Sequence, residues 1–180
     1  NEQLGRDLLD AVASVADDDA VRAVLITGAG RAFSSGADVR EQRAGDDGGP
    51  PDLSERLREL YHPIILGIRE MPKPVVAAVN GPAVGIGCSL ALACDLVLAA
   101  ESSYFLLAFV NIGLIPDGGS TAFVPARAGF ARAAEMALLG ERIDDPRALD
   151  WGLINRVVAD DALLEEAKGL TARLAAGPTI

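Results

Sequence analysis

The chain has 180 residues, half of them hydrophobic, and its 26 acidic and 16 basic side chains give a net charge of −10. This length favours one sizeable core, and no apolar run is long enough to span a bilayer. The acidic balance, with no basic cluster, argues against a nucleic-acid partner. Because the chain has a single histidine, we expect neither a zinc site nor a Ser-His-Asp triad, and we assign no metal ligand.

The start of the chain and its cysteines bear on the setting of the protein. The sequence begins at Asn1 without an initiator Met or a signal pattern, which predicts a piece of a longer protein. Cys88 and Cys94 lie six residues apart on one predicted helix, where they point to different faces and cannot bridge. We expect two small buried thiols in a reducing compartment and therefore a cytoplasmic protein.

Helical and strand periodicities alternate along the first half of the chain. They predict a helix over 3–16, a strand over 21–27, a glycine/serine loop over 28–38 and a mobile surface loop over 44–52. A helix over 53–68 with a kink or break at Pro63 follows, and then a strand over 75–79. A glycine loop, a buried helix ending near Ala93 and a strand over 95–99 complete this half.

The second half continues the same alternation. It predicts a strand over 104–107, a turn over 113–119 that opens a helix, a helix over 131–139 and a strand over 154–158. Asp145 is predicted to cap a short helix, with Pro146 at its first position and Gly152 just past its end. A final helix is predicted from Asp161 to Leu174. The alternation indicates an α/β fold with much of the sheet buried, and we expect residues 1–180 to form one domain.

The segment from Asn80 to Asp95 carries the strongest functional signal. A β-branched strand leads into a loop with glycines at 81, 85 and 87, and the loop turns directly into an Ala/Leu/Cys helix. Glycines let the backbone approach a ligand closely, because no Cβ intervenes. The first amides of the helix have no acceptor within it and suit an oxygen that carries negative charge. The pattern therefore predicts an anion cradle made of main-chain amides.

Three ordered motifs resemble those of the crotonase family, the enoyl-CoA hydratase/isomerase superfamily. They are Ile26–Asp38 (ITGAGRAFSSGAD), Asn80–Asp95 (NGPAVGIGCSLALACD) and Ile112–Gly119 (IGLIPDGG). The resemblance implies a ββα spiral with a buried sheet and surrounding helices. It also implies that the family's first strand and its C-terminal helical segment are missing from this chain.

The resemblance further implies an acyl-CoA substrate, with two backbone amides that stabilise the thioester enolate. Those amides map to Ala37 and Ile86, and preorganised donors of this kind favour the transition state. Substrate-binding positions are implied at Gly36, Asp38, Gly85, Gly87, Phe109 and Gly113. No cofactor is expected beyond the coenzyme A of the substrate, and a homotrimer or hexamer is implied.

The chain departs from the resemblance at the two carboxylates that a hydratase of this family needs. Their positions fall on Ser89 and Phe109, and neither side chain can act as a base. The resemblance leaves Asp117, in the third motif, as the acid of a single-carboxylate isomerase. We therefore expect double-bond migration of the Δ3-Δ2-enoyl-CoA or phenylacetate-pathway type. Hydration with a base at Glu101 or Glu41, or acyl-CoA binding without catalysis, is the alternative.

Each of these residues also has an ordinary structural interpretation. Asp117 lies between Pro116 and Gly118, so that its side chain could cap a helix or order a turn. Ser89 is expected to be a small packed residue, since no histidine is placed to activate it. Phe109 is either a wall of the acyl pocket or ordinary core.

Overall fold

The fold is a mixed α/β arrangement, seen in a computed structural model that describes residues 1–38 and 53–178. Seven strands are described: β1 (Val24–Thr27), β2 (Val75–Val79), β3 (Pro82–Val84), β4 (Leu96–Ala100), β5 (Tyr104–Leu106), β6 (Ile143–Asp144) and β7 (Arg156–Val158). The predicted α/β class is confirmed. The mobile loop predicted over 44–52 lies outside the described residues.

Helices surround the strands. They are α1 (Glu2–Asp17), α2 (Leu53–Arg56), α3 (His62–Glu70), α4 (Ile86–Ala93), α5 (Ser120–Ala128), α6 (Phe130–Leu139), α7 (Asp145–Asp150) and α8 (Leu163–Ala175). A π-helix at Leu57–Tyr61 joins α2 to α3, and a 3-10 helix spans Ala108–Ile112. The kink or break predicted at Pro63 is instead a π-helix that ends just before this residue. Pro63 itself lies in the first turn of α3, where proline costs no helical hydrogen bond.

The strands form two sheets. A parallel sheet has the order β1-β2-β4-β7, and a smaller sheet has the order β3-β5-β6. In the units β2-β3-α4 and β4-β5-α5, the first strand joins the large sheet and the second joins the small one. The chain therefore steps from one sheet to the other before each of these helices.

The core lies on both faces of the large sheet. Strand β2 is buried at every residue, so that its side chains alternate between two clusters. Val75, Ala77 and Val79 belong to the larger cluster, with α3 and α4, whereas Val76 and Ala78 pack with α8. A central parallel strand that is covered on both faces needs apolar side chains at every position. This explains the unbroken apolar run in the sequence of β2.

The structure differs from the sequence prediction in several short elements and at one helix cap. Strands β3 and β6 were not predicted, since two or three residues carry no periodic signal and depend on pairing with β5. The 3-10 helix at Ala108–Ile112 was also not predicted. The N-cap of α7 is Asp144, not Asp145, since the Asp144 carboxylate accepts a hydrogen bond from the Arg147 amide at 3.3 Å.

Candidate active site

A cavity of about 190 Å³ opens between the two glycine loops, the π-helix and the turn that precedes α5. Its lining comprises Ser35, Gly36, Ala37, Arg56, Leu57, Tyr61, Val84, Gly85, Ile86, Ala108, Phe109, Asn111, Ile112, Leu114 and Asp117. Most of these groups are apolar, and the charged ones are Arg56 and Asp117. Such a lining suits an apolar ligand that is oriented by a few polar contacts.

The first glycine loop reaches the cavity because it pairs with strand β3. Ser34 forms a parallel bridge with Ala83, in which the Ser34 amide donates to the Pro82 carbonyl at 3.0 Å. The Val84 amide donates in return to the Ser34 carbonyl at 2.9 Å. Gly36 has φ +91°, and a Cβ there would lie 3.0 Å from the Val84 carbonyl oxygen. Glycine at 36 thus permits the close approach that brings Ala37 to the cavity wall.

The second glycine loop places the start of α4 at the same wall. Gly85 is the N-cap of α4, with φ +55°, and its amide donates to the Leu106 carbonyl at 2.8 Å. The amide of Ile86, the first residue of α4, has no acceptor within its own helix. The described hydrogen bonds include none from the Ala37 or Ile86 amide. Ala37 and Ile86, two residues from distant parts of the chain, therefore line one cavity.

Asp117 lines the cavity from the turn before α5. Gly118 and Gly119 follow it with φ +58° and +80°, and Gly119 is the N-cap of α5. The Asp117 carbonyl accepts from the Ser120 hydroxyl at 2.8 Å and from the Ser89 hydroxyl at 2.9 Å. These hydrogen bonds involve the main chain of Asp117. Among the described residues no hydrogen bond of the Asp117 side chain caps a helix, one of the two structural roles that the sequence raised.

The Asp117 carboxylate is held in an apolar environment. Its Oδ1 atom is buried and has no hydrogen-bond partner among the described residues. Burial raises the pKa of this carboxyl from 3.8 to about 6, and the charge of His62 acts in the opposite direction. A carboxylate with a raised pKa, on a residue that lines a cavity, has the properties of a general base.

Six of the nine predicted site residues line this cavity: Gly36, Ala37, Gly85, Ile86, Phe109 and Asp117. Gly87, Gly113 and Asp38 do not line it among the described residues. A Cβ on Gly87 would lie 2.5 Å from the Ser34 Cβ, and Gly113 is the left-handed cap of the 3-10 helix. The structure thus gives Gly87 a packing role and Gly113 a turn role, whereas substrate contact by these three residues stays a prediction.

The sequence did not single out the wall formed by Arg56, Leu57, Tyr61 and Asn111. Three of these residues follow one another closely across the junction of α2 and the π-helix. A π-helical segment shifts the side chains that follow it around the helix axis, so that α-helical spacing does not reveal which of them face the cavity.

Among the described residues, the cavity has no base at the positions considered for hydration. Ser89 is fully buried, and Phe109 is 6% exposed and lines the apolar wall. Glu101 is exposed, in the turn after β4, and is not a lining residue. Glu41 lies outside the described residues. Within residues 1–38 and 53–178, Asp117 is thus the carboxylate that lines the cavity.

Two further features concern metals and membranes. Residues 1–38 and 53–178 contain no cluster of three His, Cys, Asp or Glu side chains suited to a metal ion. In the same part of the chain, every helix is too short or too polar to cross a bilayer.

Comparison with known proteins points to one family. The family described as enoyl-CoA hydratase/isomerase matches residues 1–180. The chain is 41% identical over 179 residues to the 1,2-epoxyphenylacetyl-CoA isomerase of Escherichia coli K12, covering 99% of this chain and 68% of that protein. It is 45% identical over 158 residues to a probable enoyl-CoA hydratase of Rhodobacter capsulatus, covering 88% of this chain and 60% of that protein.

Solved structures agree with the sequence comparison. The crystal structure of a putative enoyl-CoA hydratase/isomerase from Mycobacterium abscessus superposes with a TM-score of 0.93 at 37% identity, covering 99% of this chain and 69% of that one. The fold expected from the resemblance is therefore confirmed. The chain spans about two thirds of the length of these relatives.

Proposed function

Since this chain belongs to the enoyl-CoA hydratase/isomerase family, we propose that it moves a double bond in an acyl-CoA thioester. The substrate would be a 3-enoyl-CoA, or a ring compound of the phenylacetate-pathway type. The observation that carries the proposal is the Asp117 carboxylate, the acid that lines the cavity among the described residues. One carboxylate suffices for migration, because no water molecule has to be activated.

The thioester oxygen would be bound by the amides of Ala37 and Ile86. Loss of a proton from the α-carbon turns the carbonyl into an enolate, and negative charge develops on that oxygen. The positive end of the α4 dipole lies at Ile86, where it favours such charge. Each donor would contribute roughly 3 kcal/mol to transition-state stabilisation, by analogy with oxyanion-hole deletions.

Asp117 would carry the proton. Its carboxylate would accept the α-proton as the C–H bond breaks, and the electron pair would delocalise directly into the thioester carbonyl and, through the adjacent double bond, onto the γ-carbon. The same carboxyl would then return the proton to the γ-carbon, leaving the double bond conjugated with the carbonyl. A pKa of about 6 keeps this group ionised at neutral pH and still more basic than an ordinary aspartate.

Replacement of Asp117 by Asn tests the proposal directly. Purified variant and wild type are given a 3-enoyl-CoA, and formation of the conjugated 2-enoyl-CoA is followed by its near-ultraviolet absorbance. We expect Asp117→Asn to lower kcat by at least about 100-fold, as loss of a general base does. Asp19→Asn makes the same chemical change at an exposed position and serves as the control. Activity of Asp117→Asn within a few-fold of wild type would refute the assignment.

Two alternatives are separated by the products. Hydration is favoured by the similarity to the probable hydratase of Rhodobacter capsulatus, and 3-hydroxyacyl-CoA as the main product from 2-enoyl-CoA would support it. An acyl-CoA binder without catalysis would bind the thioester and convert neither substrate.

We also propose a cytoplasmic homotrimer or hexamer with no cofactor other than the substrate's coenzyme A. Two buried free cysteines suit a reducing compartment. Large apolar side chains such as Phe130 and Leu138, 83% and 72% exposed, suit an assembly interface. Light scattering of the full-length protein measures the number of subunits, and a monomer would contradict the proposal.

A further inference from the structure

We propose that Ser89 is a positioning residue: its hydroxyl holds the Asp117 turn against the helix that begins at Ile86. The inference rests on the proposed function, because it concerns the distance between the proton carrier and the amide that binds the thioester oxygen. Ser89 occupies a position where the family resemblance leads one to look for a carboxylate, and where this chain has none.

The Ser89 hydroxyl has an unusual choice of acceptor. A serine within a helix commonly donates to the carbonyl four residues earlier, which is Gly85 and lies 3.5 Å away. The Asp117 carbonyl lies closer, at 2.9 Å, and is 28 residues further along the chain. Ser89 is fully buried, so that no water competes for this bond. The hydroxyl therefore connects α4 to the catalytic turn.

Close packing reinforces the connection. A Cβ on Gly118 would collide with the Ile86 Cδ1 atom and would lie 2.9 Å from the Ser89 Cβ. The turn thus lies directly on the first turn of α4, with no room for a side chain between them. Ile86 and Ser89 are three residues apart on α4 and so share a face of that helix. One rigid element therefore carries both the amide donor and the group that locates Asp117.

Ser120 supplies a matched comparison within the same turn. Its hydroxyl also donates to the Asp117 carbonyl, at 2.8 Å, and Ser120 is 1% exposed. This bond spans three residues of one segment, so that it shapes the turn without fixing where the turn lies relative to α4. Ser89→Ala and Ser120→Ala therefore each remove one hydroxyl that donates to the Asp117 carbonyl. Only Ser89→Ala removes a hydrogen bond between this carbonyl and α4.

The test compares Ser89→Ala, Ser120→Ala and Asp117→Asn with wild type, by isomerase kinetics across pH. We expect Ser89→Ala to lower kcat by ten- to a hundred-fold with KM within about twofold, since displacement by about 1 Å has effects of this size. The acid limb of its pH profile, where kcat falls as Asp117 is protonated, should also move to lower pH, because the displaced carboxyl becomes better hydrated and its pKa falls. Ser120→Ala should lose at most about threefold and keep the limb in place.

The outcomes separate this inference from the proposed function. An active Asp117→Asn variant overturns the proposed function whatever the serines do. If Asp117→Asn is inactive, two results would overturn the positioning role alone. One is an equal loss of kcat in Ser89→Ala and Ser120→Ala, and the other is an acidic fall of the kcat profile of Ser89→Ala at the same pH as in wild type. A tenfold loss confined to Ser89→Ala, with the limb displaced, supports the positioning role.

A second pair of variants decides the matter should Ser89→Ala fail to fold. Gly118→Ala and Gly119→Ala place the same methyl group at adjacent positions of positive φ. The first methyl would meet Ile86 and Ser89 on α4, and the second would meet the Phe123 ring within α5, 2.6 Å away. We expect Gly118→Ala to reduce kcat at least fivefold more than Gly119→Ala and to move the acid limb. Equal losses with unmoved limbs overturn the inference.

Discussion

Replacing Asp117 by Asn should make the protein more stable at neutral pH while it removes activity. The folded state raises the pKa of this carboxyl from 3.8 to about 6, because burial disfavours its charged form. Between these two values the folded state therefore binds more protons than the unfolded state, and stability falls as the pH rises. Above about pH 6 the folded protein bears the full cost of the buried charge. Asparagine has no charge to bury.

The size of the gain follows from the two pKa values. The interval from 3.8 to about 6 corresponds to about 3 kcal/mol at 1.36 kcal/mol per pH unit, which is an upper limit. The side chain is partly exposed, and water screens part of the charge. We therefore expect Asp117→Asn to raise the free energy of unfolding by about 1–2 kcal/mol at pH 7 and by close to zero at pH 4.

Urea denaturation followed by far-ultraviolet circular dichroism at pH 4 and pH 7 measures this difference. Asp19→Asn, on the exposed segment after α1, serves as the control and should show no pH-dependent gain. A variant less stable than wild type at pH 7, or a gain of the same size at pH 4, would refute the reasoning. It would mean that the Asp117 carboxylate is stabilised by contacts rather than destabilised by burial.

Three further measurements concern the pH profile of the wild type and two substitutions. For the wild type, kcat/KM for isomerisation should fall tenfold per pH unit below about 6, the pKa of Asp117, and a profile flat from pH 5 to 8 would contradict a titrating base. Lys73→Met should lower the free energy of unfolding by about 2–4 kcal/mol in urea melts, because the buried ammonium donates to the Val15, Ala16 and Asp18 carbonyls at 2.6–2.9 Å. Gly36→Ala should lower kcat about tenfold by moving the Ala37 amide, since φ there is +91°; unchanged kinetics would show that the loop does not locate a donor.

The sequence predicted those parts of the fold whose signals are local and strong. Strand β2 is a run of five small or β-branched residues, all of them buried, and such a run has few alternatives to a central strand. Helix α1 has an N-cap at Asn1 and an amphipathic pattern, and it extends only one residue beyond each predicted end. In both cases the residues themselves determine the element.

The missing elements depend on partners elsewhere in the chain. Strand β3 exists because Pro82–Val84 pairs with Tyr104–Leu106 in register, and its three residues carry no independent signal. Strand β6 has two residues and pairs with the same partner. Asp144 and Asp145 offered two adjacent candidates for one cap, and only the backbone geometry distinguishes them. Tertiary pairing therefore decided what the local pattern left open.

The site divides in the same way. Gly36, Gly85 and Asp117 could be predicted to lie near the cavity, because glycines in tight loops and an acid between proline and glycine are recognisable in the sequence. The positioning role of Ser89 could not be predicted, since a small polar residue in a buried helix is indistinguishable from ordinary packing until its hydrogen-bond acceptor is known. Its bond to Asp117 joins residues 28 positions apart. Periodicity within one element cannot reveal such a contact.

The contact of Ser89 with Asp117 bears on the choice between migration and hydration. A carboxylate at position 89 would need a hydrated or charge-paired environment, but the residue there is fully buried and against the Gly118 backbone. The same space cannot hold both a second base and the hydroxyl that ties the Asp117 turn to α4. Under the proposed function, a single acid at this turn would return the proton to another carbon of the same substrate. The chain lacks the second base at position 89 that would activate water.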